Sequence, residues 1–95
     1  MAGTVRAMAV LNKTYWRVVF RGVLTEEMFS KLEAAGIFQC DGAFLLGRRD
    51  RQGRELVDYP LRVEARDADH AFVRLTQVLG DGTAPCIVET PTPLA

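Results

Sequence analysis

The chain has 95 residues, of which 48% are apolar and 25% charged, and its 12 basic and 12 acidic side chains leave a net charge of zero. That length holds one compact domain around one core and leaves no room for a second. The balanced charge excludes the broad cationic field of a typical nucleic-acid binder, and no run approaches the roughly 20 apolar residues of a membrane span.

Residues 1–13 open with "MAGTVRAMAVLN", which has no apolar run long enough for a signal-peptide core. A cytoplasmic setting is therefore expected, with "TVRAMAVL" (4–11) as an extra edge strand ahead of a single domain over 14–90. In "YWRVVFRG" the set Trp16, Val18, Phe20 alternates with Tyr15, Arg17, Val19, Arg21, the period of a half-buried strand whose core face carries the tryptophan. "TEEMFSKLEAAG" then reads as a helix, with an N-cap at Thr25, Glu26 and Glu27 in the first turn where the helix dipole favours them, and a stop at Gly36. Met28, Phe29, Leu32 and Ala35 make its apolar stripe.

"GAFLLGRR" and "ELVDYPLRVEAR" read as two strands joined at "DRQG", a β-hairpin with glycine where the turn requires positive φ. Tyr59, Leu61, Val63 and Ala65 face one way, and Asp58, Pro60, Arg62, Glu64 and Arg66 the other. Pro60 removes one ladder donor, so a local irregularity is expected there. "DADHAFVRLTQVLG" gives a second helix, capped by Asp67, burying Ala71, Phe72, Leu75, Val78 and Leu79, and ended by Gly80. "CIVE" supplies a last short strand, and the prolines of residues 91–95 mark a flexible tail.

The order strand, helix, strand, strand, helix, strand resembles the ferredoxin-like split βαβ arrangement. Over residues 14–90 the resemblance implies an α+β fold: a four-stranded antiparallel sheet in order 4-1-3-2 with both helices on one face. It rests on element order and carries no function. Acylphosphatases share that order and bind phosphate between the first strand and first helix. Here "FRGVLTEEMF" lacks the glutamine-glycine pair and following arginine of their cradle, and Arg21 precedes the loop, so that activity is not expected.

Chemistry-bearing residues are sparse. Cys40 and Cys86 form no metal-ligand spacing with each other or with His70, the lone histidine, and no nucleophile–base pair stands out, so no metal, cofactor or catalytic residue is assigned. The cysteines fall on opposite sheet edges, too far apart for an intrachain disulfide. The outward face of the two central strands is charged and offers only Tyr15 for stacking, so nucleic acid is not an expected partner.

Two surface features remain. Arg21 and the hairpin arginines Arg48, Arg49, Arg51 and Arg54 fall at one end of the domain, with the first helix's start and the loop 80–85, as a candidate site for a phosphate or carboxylate. Glu26, Glu27, Asp50, Glu55 and Asp81 share that end and offer internal partners. The other is "AFLL": Phe44, Leu45 and Leu46 are apolar toward both faces although the topology puts them at a sheet edge, where monomers place charge, so either the N-terminal segment of the same chain or the same edge of a second copy is expected to cover it. The expectation is a non-enzymatic domain acting by association, as a homodimer or an accessory to a protein partner. The alternative is a regulatory module binding a small anion at the hairpin end.

Overall fold

The computed structural model describes residues 14–94 and is α+β: an open antiparallel sheet of five strands with two helices. The strands are β1 (Tyr15–Gly22), β2 (Phe38–Gln39), β3 (Phe44–Arg49), β4 (Glu55–Glu64) and β5 (Thr92–Pro93), and the helices are α1 (Glu26–Ala34) and α2 (Ala68–Leu79). The strand expected over 4–11 lies outside the described residues.

β1 and β4 form the centre, in unbroken register from Tyr15 opposite Glu64 to Gly22 opposite Val57. Their inward residues Val18, Phe20, Leu61 and Val63, with Ala65 just past β4, meet Leu32 of α1 and Ala71 and Leu75 of α2 in one core. Leu24 and Ile37, which flank α1 and follow no period, complete it. Trp16 and Tyr59 pack at its margin, and the Trp16 indole Nε1 donates to the Ala65 carbonyl at 3.0 Å, which satisfies its one polar atom.

Both helices begin where side chains supply the missing acceptors. Thr25 Oγ1 accepts from the Met28 amide and Asp67 Oδ1 from the His70 amide. α1 closes with the Gly36 amide on Glu33 and the Ile37 amide on Leu32, a turn that Gly36 permits at φ +74°. Phe29, expected inside, is 39% exposed and instead sets its ring edge-on to Tyr59 at 5.8 Å.

The sheet differs from the four-stranded expectation at both edges. On one side the expected second strand is divided: β2 pairs with Arg62 and Leu61 of β4, β3 pairs with Asp58 and Val57, and residues 40–43 between them leave the ladder. Pro60 is the cause. Its carbonyl accepts from the Cys40 amide at 2.9 Å, so its own nitrogen points to the same neighbour and has no hydrogen to return. The irregularity expected at Pro60 therefore falls on the strand beside it, while β4 runs straight through.

On the other side "CIVE" is not a strand. Residues Asp81–Cys86 wind into a 3₁₀ turn containing Pro85, and the Ile87 amide is spent on Ala84, leaving one bridge from Ile87 to Phe20. The chain then rejoins the sheet as β5, opposite Trp16 and Arg17, and the Leu94 amide donates to Tyr15. The segment expected to be a flexible tail is thus docked as far as Leu94. An edge position tolerates Pro93 because its missing donor can face away from the ladder.

Candidate functional site

The hairpin carries most of the arginines singled out in the sequence. Asp50 organises its turn: Oδ1 accepts from the Gln52 and Arg54 amides at 2.9 and 2.8 Å, and Oδ2 takes the Arg54 Nε at 2.8 Å. These bonds, the Arg54 backbone amide foremost, hold the Asp50 carboxyl below its usual range. Arg49 Nη1 donates to the Gly53 carbonyl at 2.8 Å. Arg21 is clamped on Asp58 through two parallel bonds of 2.8 and 3.0 Å, which keep the Asp58 carboxyl low and raise the Arg21 guanidinium.

Three of the five candidate anion ligands thus have partners of their own, leaving Arg48 and Arg51 without a hydrogen-bonded acceptor among the described residues. Arg48 contributes only a longer-range pull on Asp58. β3 packs on β4, and the turn lies beyond Val57, where β1 has already ended at Gly22. The loop 80–85 packs on α2 and on β1, where Ile87 just after it bridges Phe20 next to Arg21.

The apolar edge is different in kind. β3 pairs with β4 on one side and has no strand on the other among the described residues. Phe44 is 66% exposed and Leu45 60% exposed, and they lie opposite Asp58 and Val57, so the phenylalanine belongs to the open face and the leucine to the helix side. Leu46 is half-buried. Beyond them β3 holds three residues between Leu45 and Arg49 where β4 holds one, a bulge at which Gly47 adopts φ +69°.

The open face of the sheet carries one row that the sequence did not disclose. Phe38, Arg62, Arg17 and Thr92 stand side by side across β2, β4, β1 and β5. Arg17 reaches Glu89 at 3.4 Å, and Arg62 lies over the Tyr15 ring, 4.6 Å from its centroid. Val19, only 4% exposed, and Pro60 form the floor of a groove beside this row, bordered by Asp41, Gly42 and Phe44.

His70 Nδ1 accepts from the Arg66 amide at 3.0 Å, so the ring helps close the turn into α2. Cys40 and Cys86 are both free thiols; neither lies in the strand expected of it, Cys40 following β2 and Cys86 ending the 3₁₀ turn. Burial raises the Cys40 thiol, against the opposing pull of Arg17 and Arg62. Among the described residues no three His, Cys, Asp or Glu side chains gather as metal ligands, and no helix is long and apolar enough to cross a membrane. No family model, no curated protein and no solved structure matches this chain.

Proposed function

We propose that this chain is a non-enzymatic domain that works by association, pairing through the β3 edge with a second copy of itself. The observation that carries the reading is the exposure of Phe44 and Leu45 on opposite faces of one edge strand. A single exposed leucine is ordinary; two large apolar side chains on an unpaired edge are what monomeric sheets avoid. Burying each is worth about 1.5 to 3 kcal/mol, and strand-to-strand pairing adds main-chain hydrogen bonds without further side chains.

The same proposal treats the architecture as a ferredoxin-like split βαβ fold with a divided second strand and a last strand shrunk to the Ile87 bridge and β5. Antiparallel pairing of every segment supports it. A cytoplasmic setting belongs to the reading as well, in keeping with two unpaired thiols. The hairpin arginines give less support to an anion site, because Arg21, Arg49 and Arg54 already have acceptors.

Sedimentation equilibrium tests the association. Wild-type protein is expected at dimer mass and Leu45→Lys at monomer mass with an unchanged far-ultraviolet spectrum. A monomeric wild type overturns self-association; a Leu45→Lys variant that remains dimeric moves the interface away from β3.

A further inference from the structure

The open face of the sheet holds a concavity of about 520 Å³ lined by Tyr15, Phe38, Gln39, Cys40, Arg62 and Leu94. That volume is in the range of small-molecule sites, which combine apolar walls with a few directed polar groups. Arg62 is the directed group here. It is exposed, has no carboxylate partner among the described residues, and is flanked by the Tyr15 ring on which it lies and by Phe38 directly opposite on β2.

Arg62 also stands directly opposite Arg17, and like charges facing each other across a strand pair are unfavourable. Glu89 relieves Arg17, and Arg62 has no carboxylate partner among the described residues.

We propose that this concavity binds a small aromatic carboxylate, its carboxyl held by Arg62 and its ring against Phe38. A guanidinium resting over an aromatic ring keeps N–H groups free for two parallel bonds to a carboxylate, and the exposed Phe38 ring provides stacking surface beside it. The charge pattern favours a single anionic group over a polyanion. Arg62 is the single cation of the concavity's lining, which suits one anionic group and offers no second cation for a further phosphate. The inference is independent of the β3 association, which uses a different strand.

The test is a titration followed by backbone amide NMR, with phenylacetate as the probe and phenethylamine and acetate as controls. Phenylacetate is expected to shift the Phe38, Cys40 and Arg62 amides, acetate to bind at least tenfold more weakly, and phenethylamine to leave them unmoved. Arg62→Ala is expected to lower phenylacetate affinity at least tenfold and Arg62→Lys to fall between, while Phe38→Ala weakens phenylacetate but not acetate. Equal binding of phenethylamine, shifts mapping elsewhere, or an Arg62→Ala titration matching wild type would overturn the site. A short oligouridylate that displaces phenylacetate and binds more tightly, with a steep loss in salt, would overturn it in favour of single-stranded nucleic acid.

Discussion

Arg21 and Asp58 show what a single pair contributes when its geometry is fixed by neighbouring strands. They are direct cross-strand partners at the end of β1, so the two bonds cost little additional ordering of the chain. Because the folded Asp58 carboxyl lies below its unfolded value, its contribution is complete above the ordinary aspartate range and is lost as pH falls through the folded one. Asp50 acts in the same sense through the hairpin turn. Thermal melts are therefore expected to show stability declining on the acid side, and Asp58→Asn to be less stable than wild type at neutral pH but to lose less on acidification. Parallel pH profiles for the two proteins would contradict this. At this scale the sequence was legible where a residue type has one local use, as with Thr25 and Asp67 as caps. Arg62 over Tyr15 was not, because that contact depends on two strands meeting in one particular register.

Among elements, the most informative is β3, where two devices act on one edge. Its bulge turns the strand at Gly47 and so limits how far another chain could extend the pairing, while Phe44 and Leu45 remain regular and exposed. An alanine at position 47 must adopt the left-handed region, which costs an ordinary residue about 1 to 2 kcal/mol. Gly47→Ala should lower the urea-unfolding free energy by about that amount, and an unchanged value would mean that the bulge relaxes freely. The helices and central strands were readable from the sequence because their periods and caps agree. The divided second strand was not, since the cause, Pro60, acts on its neighbour; nor was the 3₁₀ turn that consumes the Ile87 amide.

At the scale of the described fold, one apolar layer under β1 and β4 holds both helices, while Arg17, Arg62 and Phe44 lie on the opposite face. Leu75 is fully buried where α2 meets the sheet, so Leu75→Ala is expected to cost about 2 to 5 kcal/mol in urea unfolding, against little for Val73→Ala on the exposed side of the same helix. A similar small loss for both would contradict the placement of that core. The central claim is that the β3 edge is where chains meet, and hydrogen exchange reads it residue by residue. For a dimer joined there, the β3 amides turned away from β4 should become more protected as protein concentration rises over a roughly hundredfold range, while those of α2 keep constant protection. Protection along β3 that is the same at every concentration would contradict the account.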